Sequence, residues 1–340
     1  MAATGPAVGR AIDRAGGRNT LVLSNLVLAG GLVMLGAANN VQMLFAAWCV
    51  MGIGMAMGLY DAAFAALVHI YGKSARKAIT GITLVAGFAS TVGWPLTALL
   101  DAQFGWRAAC LAWAGLHILV ALPVNWLCLP KTSGHPKDVD PSPTESSDSD
   151  SMPVTRRRTV VLLAVFSAAT AFVTSAMAAH LPGLLLAMGA SGAAALIAAS
   201  LLGPAQVAAR LMEFGVVTRF NVHPLATARV ATALHPLAAL LLGMLGGPPA
   251  AAAAFALLHG AGNGMITIAK GTLPLALFGP VGYGLLQGWL GVAGRTMQAL
   301  APYVFGVVMD RAGGHAALAV SGGLSLLALG ALFFLRAPRN

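Results

Sequence analysis

Among the many apolar residues of this chain, a few polar side chains stand where hydropathy alone would not put them. Asp61, in Gly58-Leu59-Tyr60-Asp61-Ala62, is the one acid well inside an apolar helix-length stretch. An ionisable group at membrane depth is costly and marks a functional site by default. A carboxyl there can load and unload a proton; a structural ion pair or hydrogen bond is the competing reading. His259, Asn263, Thr267 and Lys270 are spaced by 4, 4 and 3, which at 100° per residue places them within about 80° of one helix face. Such a stripe faces a partner or a water-filled cavity and can bind solute. Lys270, near the end of its stretch, can equally snorkel to the interface. Arg295 sits mid-stretch with Gln287 and Gln298 on the same broad face. Its guanidinium fork suits a carboxylate substrate, and an interhelix bond to glutamine or backbone is the plainer use. Ser167, Thr170 and Thr174 form a milder stripe that back-bonding to their own helix accounts for.

The elements that carry these groups are transmembrane helices. Mean hydropathy is +0.81, and 9% of the residues are charged, against about 25% in soluble domains. Spanning helices of about 20 apolar residues are predicted at 19–38, 43–66, 78–100, 106–128, 159–187, 192–212, 225–246, 249–269, 284–309 and 314–335. The net charge of +10 does not point to nucleic acid. Basic residues cluster in alternate short loops (Arg10, Arg14, Arg18; Lys73, Arg76, Lys77; Lys131 and Arg156–Arg158; Arg219, Arg229; Arg336, Arg339). That is the positive-inside pattern, and it places both termini in the cytoplasm. Residues 129–158 form a linker between residues 1–128 and 159–340. It holds Asp138, Asp140, Glu145, Asp148 and Asp150, half the acids of the chain, and this Ser/Asp/Pro composition predicts disorder.

The two halves repeat. Gly52-Ile53-Gly54 with Asp61 corresponds to Gly260-Ala261-Gly262 with Lys270, and Asp101 with Gly105 to Asp310 with Gly314, at offsets of 208 to 209. Arg10-x-x-Asp13 corresponds to Arg210-x-x-Glu213 at an offset of 200. Paired repeats are how many secondary transporters are built. No Gly-Lys-Ser/Thr nucleotide loop, nucleophile arrangement or metal-ligand spacing is present. The reading is therefore not an enzyme, with no cofactor and no metal. Cys49, Cys110 and Cys128 have no paired spacing and read as small packing residues.

Near the start, Gly9-Arg10-Ala11-Ile12-Asp13-Arg14-Ala15-Gly16-Gly17-Arg18 reads as a charged loop between two helices. It resembles the loop signature of the major facilitator superfamily, Gly-x-x-x-Asp-Arg-x-Gly-x-Arg, matched by Gly9, Asp13, Arg14, Gly16 and Arg18. The resemblance implies an all-α membrane protein of two pseudo-symmetric helix bundles, six plus six in the family and about ten helices here. It also implies that the chain begins inside the family's second helix, lacking the first helix and most of the second. In the family this motif is a gate that holds the cytoplasmic ends of neighbouring helices; Arg210 and Glu213 would be its second-half counterparts, joined as an i, i+3 ion pair. Two departures bear on mechanism. Trp48 stands where proton-coupled members often carry an arginine. The run Gly87–Pro95 only partly matches the glycine- and proline-rich run of antiporters.

Together these readings point to an inner-membrane, monomeric secondary transporter of a small organic solute, coupled to protons and working outward. Uptake by symport and a non-transporting truncated scaffold are the alternatives. Asp61 is the expected proton carrier. His259, Asn263, Thr267, Lys270, Arg295 and Gln298 are the expected solute contacts.

Overall fold

A computed structural model of the chain describes residues 1–131, 154–220 and 222–336. Among them all regular structure is helical. In chain order the α-helices are α1 (Gly5–Ala15), α2 (Gly17–Gly36), α3 (Val41–Gly58), α4 (Tyr60–Tyr71), α5 (Ala75–Gly87), α6 (Ala89–Leu116), α7 (Leu122–Cys128), α8 (Val154–Ala187), α9 (Gly192–Phe220), α10 (Pro224–Leu245), α11 (Pro249–Phe278) and α12 (Tyr283–Phe333). A short 3-10 turn precedes α5, and a π turn joins α6 to α7. The predicted linker falls largely on 132–153, outside the described residues.

Eight helical runs among the described residues are long and apolar enough to cross a membrane. Large apolar side chains such as Phe45, Leu119, Leu127, Met244 and Tyr303 lie on the outside, where lipid and not water is the fitting solvent. Eight runs replace the ten predicted spans because several joins are too tight to interrupt the helix. The 51 residues of α12 would extend about 75 Å if straight, against a hydrocarbon core of about 30 Å. Gly313 breaks that run at φ 80°, ψ 176°, so the predicted spans 284–309 and 314–335 are its two arms. Gly105 does the same within α6 at φ 80°, ψ 160°. This backbone region is essentially open to glycine alone. The sequence repeat had matched Gly105 with Gly314, but the conformational equivalent is Gly313. Gly314 is instead a packing residue: a Cβ there would lie 2.8 Å from that of Ala187.

Two further predictions are corrected. The opening segment is not a loop. Gly5–Ala15 is helix, and one residue, Gly16 at φ 78°, ψ 167°, separates it from α2. The predicted span 43–66 is not continuous either, because Leu59 is extended at φ −86°, ψ −172° and divides α3 from α4.

The described residues group into two compact units. One comprises Met1–Ala78, the described part of 88–146, and Phe278–Val292; the other comprises Ile79–Gly87, the described part of 147–277, and Ala293 onward. Both α5 and α12 therefore pass from one unit into the other. The first unit is built around α2, which packs on α3, α4 and α6. The second has a continuous apolar core that includes Met177, Leu184, Leu242, Phe255, Phe305 and Leu318. Each unit fastens an arginine to carbonyls near a helix end. Arg18 donates from Nε at 3.0 Å and Nη2 at 2.5 Å to the Trp126 carbonyl, with its guanidinium over the Trp126 ring. Arg229 donates to the carbonyls of Leu332 and Leu335 and lies over Phe333. A cation at helix C-terminal carbonyls answers both the unpaired acceptors and the dipole.

Candidate functional site

The motif at the start of the chain is built on a close crossing of α1 and the first turns of α12. Gly5 and Gly9 face Gly288 and Gly284, one helical turn apart on each helix. A Cβ on Gly9 would overlap the Gly284 carbonyl, and one on Gly288 would lie 2.6 Å from the Gly5 carbonyl oxygen. Small residues four apart let helix backbones meet in this way. One turn on, the Asp13 carboxylate accepts from the amides of Gly284 and Leu285, at 2.8 Å each. These are the first amides of α12, which have no acceptor within their own helix, and a negative charge there is favoured. Arg14 stands exposed in the last turn of α1.

Arg210 and Glu213, on α9, are buried, with 5% and 4% of their surface exposed. Arg210 donates from Nη1 to the Thr83 carbonyl at 2.9 Å and from Nε to the Gly264 carbonyl at 3.4 Å. The second-half arginine is thus tied to the backbones of α5 and α11. Gly87 leaves room for it: a Cβ there would lie 2.8 Å from Nη1.

Asp61 is the second residue of α4, just after the extended Leu59. It therefore lies at the start of a half-helix, where the unpaired amides favour a negative charge. Gly54 and Gly58 had two open readings, tight packing or a cavity wall. They are packing residues: Cβ atoms there would lie 2.8 Å from Leu28 Cγ and 2.6 Å from Ser24 Oγ, both on α2. Asp61 itself is half-buried and reaches α12, since a Cβ on Gly291 would lie 3.4 Å from its Oδ2.

In the second unit the predicted stripe on α11 divides. His259 is enclosed, 2% exposed, with its ring stacked on His235 at 4.3 Å and on Phe255 at 5.6 Å. Asn263, Thr267 and Lys270 are half-buried. Asn263 Oδ1 accepts from Thr174 Oγ1 of α8 at 2.9 Å, while Thr267 turns back to the Asn263 carbonyl at 2.9 Å. Arg295 Nη1 donates to Gln298 Oε1 at 2.9 Å, and Ser175 of α8 donates to the Gln298 carbonyl at 2.8 Å. Helix α8 thus joins Asn263 of α11 to Gln298 and Arg295 of α12 in one polar patch. Back-bonding holds for Thr170, whose hydroxyl donates to the Phe166 carbonyl at 2.7 Å. It fails for Thr174. His235 gave no signal in sequence, because one histidine in an apolar helix has no pattern. Tyr283 and Gln287, buried against each other, were missed as a pair for a similar reason. Among the described residues no group of three or more His, Cys, Asp or Glu could hold a metal ion.

The broken, apolar spanning helices and glycine-packed crossings are the architecture of a multi-pass membrane protein. The sequence profile of the Major Facilitator Superfamily matches residues 1–269, and the chain belongs to that superfamily. No curated protein sequence matches it significantly. Its fold is similar to that of the human organic anion transporter MFSD10 (TETRAN), at a TM-score of 0.72 and 19% identity, covering 96% of this chain and 80% of that one. It is equally similar to the E. coli fucose:proton symporter FucP, at a TM-score of 0.72 and 15% identity, covering 96% of this chain and 86% of that one. At these identities the likeness is one of fold, and it is membership of the superfamily that points to a transporter rather than an enzyme.

Proposed function

We propose that this protein moves a small organic solute outward across the inner membrane by alternating access, in exchange for protons, with both termini in the cytoplasm. The observation that carries the reading is Asp61: a half-buried carboxylate at the start of a half-helix, set against α12, the helix whose first amides Asp13 holds. A proton taken up or released there changes the charge beside a helix that belongs to both units. Solute would meet the polar patch of Asn263, Thr174, Arg295 and Gln298, with Thr267 and Lys270 beside it on α11. Arg295 is the group suited to an anionic or carboxylate moiety. His259 supports this patch by packing. Outward direction rests on the partial antiporter-like run, whose Pro95 stands inside α6.

The test is flux in proteoliposomes under an imposed pH gradient, with a pH dye trapped in the lumen and a panel of organic anions and neutral sugars as probes. Asp61→Asn abolishes gradient-driven flux and leaves solute binding and gradient-free exchange intact, whereas Arg295→Ala weakens binding. Full proton-driven flux in Asp61→Asn overturns the assignment.

A further inference from the structure

The second unit gathers arginines and exposed aromatic rings at one end of its helices. Apolar spans begin at Arg156 in α8 and at Pro224 in α10, and another ends at Phe333 in α12. Phe333 and its neighbour Phe334 are 62% and 66% exposed. Arg229 of α10 lies over the Phe333 ring at 4.9 Å, and Arg158 of α8 over the Phe334 ring at 6.0 Å. Arg336 follows two residues on and, like Arg158, is exposed. A cation–π contact engages the ring face and occupies no acceptor, so guanidinium N–H groups remain to donate elsewhere. Arg229 uses Nε and Nη2 on the carbonyls of Leu332 and Leu335. Among the described residues its Nη1 makes no hydrogen bond. Nor does any exposed carboxylate answer these charges. The acids of the second unit among the described residues are Glu213, which is buried, and Asp310. Asp310 precedes the Gly313 break, about 30 Å from Phe333 along the last arm of α12 at 1.5 Å per residue.

We infer that this end of the second unit is a binding site for the headgroup of an anionic phospholipid. Guanidinium groups match a phosphate in charge and in the fork of their donors. The immediate surroundings of the arginines are apolar. Val161, three residues into α8 from Arg158 and so on its face, and Val230, next to Arg229, are both exposed. The fitting occupant is therefore an amphiphile, with a phosphate for the arginines and hydrocarbon for the rings and valines. Basic pockets between membrane helices hold anionic headgroups in this way. The acidic linker residues Asp138, Asp140, Glu145, Asp148 and Asp150 would satisfy the charge but bring no hydrocarbon. The site goes beyond the transport reading and does not depend on it. Only the choice of leaflet follows from the proposed orientation, which thiol labelling of Ser133→Cys tests separately.

The test titrates the full chain in detergent with dioleoyl phosphatidylglycerol and, separately, with dioleoyl phosphatidylcholine, and counts bound lipid by native mass spectrometry. The anionic lipid should bind and the zwitterionic one should bind far more weakly. Arg158 and Arg336 make no hydrogen bond among the described residues, so their replacement leaves the fold intact. Arg158→Gln and Arg336→Gln should each lower phosphatidylglycerol affinity by about fivefold, which is about 1 kcal/mol per arginine, and together by about twenty-five-fold. Arg311→Gln, an exposed arginine near the Gly313 break, removes the same charge elsewhere and should change affinity by less than about twofold, as a distant surface charge is screened. Equal binding of the two lipids overturns the inference, as does an equal loss in Arg311→Gln. Displacement of the lipid by inorganic phosphate at the same concentration would make this a site for a soluble anion instead. Phosphatidylglycerol binding that emerges only when the five linker acids are changed to Asn or Gln would make the linker the occupant, and would also overturn it.

Discussion

Replacing Asp13 with alanine removes both acceptors that hold the start of α12. The amides of Gly284 and Leu285 each donate to a separate carboxylate oxygen at 2.8 Å, so one substitution orphans two donors. A buried donor left without a partner costs about 1–3 kcal/mol. Asp13 is half-buried, so water recovers part of this, and the lower end applies: about 2 kcal/mol for the pair. Loss of the negative charge at a helix N-terminus adds roughly 0.3–1 kcal/mol. The sum, about 3 kcal/mol, corresponds to roughly a hundredfold larger opening equilibrium for these turns. Hydrogen exchange in detergent, read by mass spectrometry on peptides covering 283–290, measures it directly. Asp13→Ala should speed exchange at the first amides of α12 by about that factor and leave the core of the second unit unchanged. Asp13→Asn keeps one acceptor oxygen and should fall about halfway, near tenfold. Unchanged exchange at Gly284 and Leu285 in a folded Asp13→Ala protein would refute the capping argument.

Further expectations concern conformation, packing and topology. Gly313→Ala forces a side chain into a backbone region costing about 1–3 kcal/mol, although a Cβ there would meet nothing within 4 Å. Its melting temperature should therefore fall, whereas Gly203→Ala, equally unobstructed inside α9, should stabilise the protein by about 0.5–1 kcal/mol. A tolerated Gly313→Ala would mean the break can form without its special backbone angles. Thr174→Val deletes the donor to Asn263 and should cost about 1 kcal/mol in thermal unfolding, with Thr170→Val costing less because its hydroxyl bonds only its own helix; equal losses would argue that Thr174 does not anchor the patch. For topology, Ser133→Cys in a Cys-free background should resist an impermeant thiol reagent in intact cells while Asn40→Cys reacts, and modification of Ser133→Cys reverses the assigned orientation.

Much of the architecture is legible in the amino-acid sequence because membrane insertion is decided locally. About 20 apolar residues suffice to specify a span whatever they later touch, and charges flanking each span specify its orientation. The repeat is legible for a related reason. Glycines that must turn the chain or admit a neighbour recur at fixed offsets, and the breaks at Gly105 and Gly313 show the same φ of 80°. Asp13 could be singled out, since a matched motif names its residues; the amides that it holds, 271 and 272 positions away, could not.

What only the tertiary structure decided is which polar groups meet. In a membrane chain the lipid-facing and core-facing sides of a helix are both apolar, so hydropathy does not reveal the rotation of one helix against the next. The α11 stripe therefore read as one surface, yet packing encloses His259 against His235 and Phe255 and leaves Asn263 to bond Thr174. The extended Leu59 likewise has no turn residue to announce it. It ends α3 and puts Asp61 at the start of a half-helix, while Gly54 and Gly58 seat α3 closely on α2. Composition and periodicity determined that these helices exist. Side-chain volume at each crossing, down to the absence of a single Cβ, determined where their few polar atoms come to rest.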